Sequence, residues 1–141
     1  MSLQSFIEEL QDVMRVDVGI ANSPPYPPEK MGSFPFCVTH AGQGIWRANT
    51  EGDIVGLHNV VIEIHDARKD LARDIRASMP FGDSVPVAIW KAHLEDRLPS
   101  AMTFGSITYT YGPLQWGTDE TIGWTFTIEQ CKFRVGITEE A

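Results

Sequence analysis

Basic residues are scarce in this chain. Eleven Lys and Arg stand against 19 Asp and Glu among 141 residues, a net charge of −8. No Lys/Arg cluster relieves the imbalance, which disfavours binding to a nucleic-acid backbone by counterion release. Long apolar runs are also missing: no stretch approaches the roughly 20 apolar residues of a membrane-spanning helix. The first 18 residues hold four acids, Glu8, Glu9, Asp12 and Asp17, and one base. A secretory leader needs a basic start and an apolar run, so the expected location is the cytoplasm. Cysteine is limited to Cys37 and Cys131. Two reduced, buried thiols are expected from that usage, and a disulfide would require their strands to be neighbours. Gly42-Gln43-Gly44 has no third glycine and no Lys-Ser/Thr pair to complete a phosphate loop. Ser84 and Ser106 have no His or acid at a nucleophile-motif spacing. None of these motifs supports an enzyme.

What is present suits a folded domain. Seven Phe, four Trp and three Tyr are too many for a chain that stays solvated. The length fits one domain, and a chain of this size buries roughly 68–70% of its unfolded surface. Leu3, Ile7, Leu10 and Met14, widened by Phe6 and Val13, follow a helical period. They predict an amphipathic helix over 2–15, capped by Ser2 or by a box of Ser5 with Glu8, and ended by Gly19. Ser23-Pro24-Pro25-Tyr26-Pro27-Pro28 disfavours both helix and ladder pairing and predicts an extended proline-rich strap over 22–33.

The sheet and the remaining helices are expected over 34–135. Phe34, Phe36 and Val38 alternate with Pro35, Cys37 and Thr39, as in a strand with one buried face that starts at a sheet edge. Gly42-Gln43-Gly44 reads as a turn into a return strand over 44–49. In the strand over 54–65, Val60, Ile62 and Ile64 share one face and Val61, Glu63 and His65 the other. Asp66 is the expected cap of a helix through Met79 that uses Ala67, Leu71 and Ile75. A third helix is expected from Asp83 or Ser84, with Ile89, Trp90, His93, Leu94, Arg97 and Leu98 on its inner side and rim; Val85, Val87 and Ile89 also alternate as a strand would. Residues 104–111 read as a strand and Gly112–Gly117 as a loop. In the last strand the apolar parity flips from Ile122, Trp124, Phe126 and Ile128 to Cys131, Phe133 and Val135, which requires a bulge near 129–131. Strands and helices are grouped, not alternating. That pattern gives an α+β class, a mostly antiparallel sheet of about five strands with helices packed on one face, in a single domain over 1–141.

Few residues bear chemistry. Glu63 and His65 lie about 7 Å apart along one strand face and can be read as a metal- or ligand-binding pair. His58 points to the other face and removes the easy third ligand, so a solvated strand face is the plainer reading. His93, beside Trp90 and Leu94, reads as a core or rim histidine. Pro24-x-x-Pro27 and Pro25-x-x-Pro28 meet the minimal pattern for docking in an aromatic groove; a rigid strap against a neighbouring subunit is the favoured alternative. Leu114 and Trp116 are large apolar residues in an expected loop, where they either fold back on the sheet or meet a partner. The candidate interface residues are therefore Pro24, Pro25, Tyr26, Pro27, Pro28, Leu114 and Trp116.

Taken in order, these segments resemble the tail terminator, or tail-completion, proteins of long-tailed bacteriophages and prophages. The resemblance rests on the acidic N-terminal helix, the strap leading to Phe34-Pro35-Phe36, and the strand running on through Ile62-Glu63-Ile64-His65-Asp66-Ala67-Arg68-Lys69-Asp70-Leu71. It rests also on Phe104-Gly105, Gly112-Pro113-Leu114 and Ile122-Gly123-Trp124-Thr125-Phe126 near the C-terminus. It implies an α+β homo-oligomer, a six-fold ring on the last ring of the tail tube protein. Such a ring ends tube growth and presents a face to the head-tail connector. DNA passes through the lumen without specific binding, and no cofactor, membrane or turnover is involved. Assembly would take place in the bacterial cytoplasm and the ring would end at the tail–head junction of the virion. Other neck and head-completion proteins share the size and acidity. A small metal- or ligand-binding α+β domain using Glu63 and His65 is the alternative from a different class.

Overall fold

Two hairpins joined through their long strands make the frame. The computed structural model describes residues 2–25, 33–49 and 52–136. Its helices are α1 (Leu3–Val13), α2 (Leu71–Ser78) and α3 (Phe81–Leu94), and its strands are β1 (Phe36–Ala48), β2 (Asp53–Asp66), β3 (Ile107–Trp116) and β4 (Asp119–Gly136). The four strands form one antiparallel sheet in the order β1-β2-β4-β3. The class is α+β, with four strands where about five were expected.

The missing strand is explained at Gly42–Gly44. These residues do not turn the chain; they form a bulge inside one continuous β1, whose register against β2 shifts between Ala41↔Val60 and Gly44↔His58. A Cβ on Gly44 would lie 1.9 Å from Nδ1 of His58. The glycine is there so that the backbone can press against a ring on the neighbouring strand, not to reverse the chain. The expected bulge in β4 is present: Glu129 and Gln130 together face Asn59, between the pairs His58↔Cys131 and Val60↔Ile128. Asn59 thus has a bulge on either side of it.

The helices build one face. Ser2 caps α1 by accepting the N–H of Ser5, the helix widens into a single π turn over Met14–Val18, and Gly19 ends it at φ 86°. Phe6, Leu10, Val85 and Ile89 from α1 and α3 are buried against Val60, Ile62, Ile64, Phe126 and Ile128 of the sheet. Full burial of each such side chain is worth about 1.5–3 kcal/mol. Trp124 closes the far side of this core, its indole N–H donating to the Ser78 carbonyl at 2.9 Å. Cys37 and Cys131 are free and buried.

Two helix expectations are corrected. Asp66 does not cap α2, because β4 extends far enough to keep it paired with Ile122. Asp70 is the cap, accepting the N–H of Arg73, while Asp74 accepts the N–H groups of Lys69 and Asp70. The third segment is a helix, which ends at Leu94 rather than near Leu98. Its inner face is Val85, Ala88, Ile89 and Ala92, whereas Trp90 is exposed and Leu94 is 79% exposed. The start at Phe81, two residues before the expected cap, lengthens the helix backwards and lets Val85 and Ala88 share the buried stripe with Ile89 and Ala92.

Candidate functional site

Residues of all four strands converge on the sheet face opposite the helices. The pairs Phe36↔His65 and Val38↔Glu63 put Phe36, Val38, His40, Glu63 and His65 on this outer side, since side chains alternate. Glu63 bridges two histidines. Its Oε1 accepts from Nε2 of His65 at 2.9 Å and its Oε2 accepts from Nε2 of His40 at 2.7 Å. Nδ1 of His65 meets Oγ1 of Thr121 at 2.5 Å, so both ring nitrogens of this fully buried histidine are engaged. Phe36 stacks on His65 with ring centroids 4.6 Å apart, and Trp116 stands edge-on to it at 6.2 Å.

The electrostatics follow from this geometry. Burial opposes ionisation of Glu63, but the hydrogen bonds from His40 and His65 outweigh it and hold the carboxyl down at about 2. His40 is pushed up, first by its bond to Glu63, then against the cost of burial, with help from the Ala41 carbonyl near its other nitrogen. Both nitrogens of His40 face acceptors, which favours the imidazolium. Among the described residues, no group of three or more His, Cys, Asp or Glu is arranged to hold a metal ion. Glu63 and His65 do come together as their spacing suggested, but they spend their polar atoms on each other, on His40 and on Thr121. The face at His65 is a packed patch and not the solvated surface expected. By the same token, Phe36–Thr39 of β1 is buried on both sides, not one.

The other candidate residues fall in separate places. Leu114 and Trp116 lie on β3, not in a loop, and Trp116 packs partly buried against Phe36 and Val38. The strand continues because Pro113 sits on a sheet edge, where the missing N–H costs no ladder bond. The chain then reverses over only Gly117 and Thr118, with Gly117 at φ 59° in the first turn position. Pro24 is tied down: Gln11, itself buried, donates from Nε2 to the carbonyls of Pro24 and Cys37 at 2.7 and 2.9 Å and accepts from Thr39 Oγ1 at 2.6 Å. Pro25 is exposed beside α1. Tyr26, Pro27 and Pro28 lie outside the described residues. His93 sits at the rim, 4.6 Å from the Phe104 ring.

Sequence reasoning missed one surface altogether. Past Asn59, among the described residues, β1, β2 and β4 continue as an arm made of Gly44–Ala48, Asp53–His58 and Cys131–Gly136, with a single bridge from Thr103 to Lys132 at its edge. The register places Ile45, Leu57 and Lys132 in one row and Arg47, Val55 and Arg134 in the next, all on the outer side. Ile45 is 51% exposed and Leu57 47%. Merging 34–39 and 44–49 into one strand reveals the patch. Read as a separate return strand, Gly44–Asn49 gave no sign of it.

Comparison with protein-family models finds no match, and neither does comparison with curated proteins.

Proposed function

We propose that the chain is a structural subunit of a tail-terminator ring, which caps the tail tube, ends its growth and forms the surface that joins the head connector. The arm carries this reading. A domain with a well-filled core nevertheless holds Ile45, Val55 and Leu57 outward on an extension of its sheet, and a contiguous apolar patch rimmed by polar residues suits contact with a partner. The mutual pairing of Glu63, His40 and His65 supports it, because their hydrogen-bonding capacity serves packing and not a substrate. A closed ring repeats one heterologous contact, so each subunit must offer two different surfaces. The segment order described above supplies the particular class of ring.

Native mass spectrometry over a range of concentrations, alone and with polymerised tail-tube protein, tests the proposal. The expected species is metal-free and six-fold, about 94 kDa from six copies of the 15.7 kDa chain, either in solution or on the tube end. A chain that stays monomeric and leaves tube elongation unchanged overturns it. A ring that binds the connector and ignores tube ends would instead belong with the neck proteins.

A further inference from the structure

The arm has a complement on the same chain. A groove of about 590 Å³ runs between α1 and β1, with Leu3, Ile7 and Pro25 among its walls, Glu8 at its rim, and His40, whose charge is met by Glu63, on its β1 side. Glu9, bonded to Ser100, and Asp12, paired with Arg15, continue along the same helix and leave this surface with an excess of acid. The outer arm face is the reverse: apolar Ile45, Val55 and Leu57 flanked by Arg47 and Lys132, with Arg134 bound to Asp53. An acidic apolar groove and a basic apolar face are complementary in charge and in character.

We infer that the outer arm face of one copy docks in the α1–β1 groove of the next copy, and that this is the contact repeated around the ring proposed above, on which the inference rests. The occupant is a second copy because both halves of the complementary pair are written into one sequence. One chain cannot satisfy itself: the groove is lined by Thr39 and Ala41, which face the helices, whereas Ile45 and Leu57 face away from them across the sheet. That is the arrangement a head-to-tail contact requires. The patch spans three strands and two rows, on the order of 300 Å² with its side chains. A stable pair buries about 800 Å² per partner. A single contact of this size is weak, and closure, in which every subunit uses both surfaces, is what makes the assembly persist.

Charge reversal tests the pairing without touching the core. Arg47→Glu with Lys132→Glu makes the arm acidic, and Glu8→Lys with Asp12→Lys makes the groove basic. Each double variant alone is expected to keep the wild-type circular dichroism and to lose self-association at least tenfold. Mixed in equal amounts they are expected to co-assemble, because each acidic arm then meets a basic groove and each basic arm an acidic one, giving alternating rings of even number. Rings that form from either double variant alone as well as from wild type would overturn this pairing and leave the ring proposal standing. Loss of association without rescue on mixing would also overturn it. Wild type that does not associate at any concentration, with or without tube protein, would overturn both.

Discussion

The sheet has two halves that differ in what lies on either side of them. Before Asn59 it is sandwiched: α1 and α3 cover one face, and Phe36, Val38, His65 and Trp116 form a small second cluster on the other. Beyond Asn59 the inner side is filled at its base by Phe133 and His58, Trp46 is 39% exposed further out, and the outer side is bare. The paired bulges at Asn59 mark the change. A bulge adds twist and lets strands leave the plane they began in, so three strands, β1, β2 and β4, carry on past the core. The comparison teaches that one sheet can be covered on both faces at one end and on one face at the other, and that a few extra residues in the two strands flanking β2 suffice to divide it.

The sharpest way to break this division is to damage the sandwiched half. Trp124→Ala removes a buried indole, its bond to the Ser78 carbonyl and its stacking on Phe126, and should cost about 3–5 kcal/mol in urea unfolding. A variant as stable as wild type would put Trp124 outside the core. The second test is pH. His40 holds its proton more tightly folded than unfolded, so its contribution is full below 6.5 and fades as pH rises through its raised value. Glu63 behaves oppositely: its contribution is full above 4.5 and is lost as pH falls toward about 2. Stability from this triad should peak between those limits. His40→Gln should flatten the alkaline limb by under about 1 kcal/mol, since the ring is half exposed; an unchanged pH profile would show the bridge contributes nothing. The smallest effect belongs to the arm. Leu57→Ser should change unfolding by no more than about 0.5 kcal/mol while weakening self-association in sedimentation. A loss of stability on the scale of Trp124→Ala would erase the distinction between the halves.

How much of this was legible in the sequence depends on which physical signal each element used. Alternation exposed Val60, Ile62 and Ile64, and the parity flip after Ile128 located the β4 bulge, because both follow from a period of two that tertiary structure cannot alter. The class was legible for the same reason. The Gly42–Gly44 bulge was not, since the same glycines serve a turn or a close approach to a ring, and only the position of His58 decides between them. Leu114 and Trp116 were misplaced because Pro113 signals a loop unless the strand is known to lie on an edge. In the candidate site, spacing brought Glu63 and His65 together. His40 and Thr121, 23 residues before Glu63 and 56 after His65, enter only through strand register. Gln11 was hidden among the polar residues of α1, where nothing local marks an amide that will be buried beneath Pro24.

The strand order has a consequence for how the chain is made. β1 with β2 and β3 with β4 are hairpins that can pair soon after translation. The join between them, β2 with β4, connects residues such as Ile64 and Trp124 and must wait until both helices in between have been synthesised. Phe6 near the start of the chain meets Phe133 near its end, with ring centroids 5.5 Å apart. Non-local closure of this kind is slow, and a nascent chain halted before β4 leaves β2 as an open edge and the core without Trp124, Phe126, Ile128 and Phe133. Val60, Ile62 and Ile64 reach their full packing only once Trp124, Phe126 and Ile128 of β4 have been made, so the core closes late in synthesis.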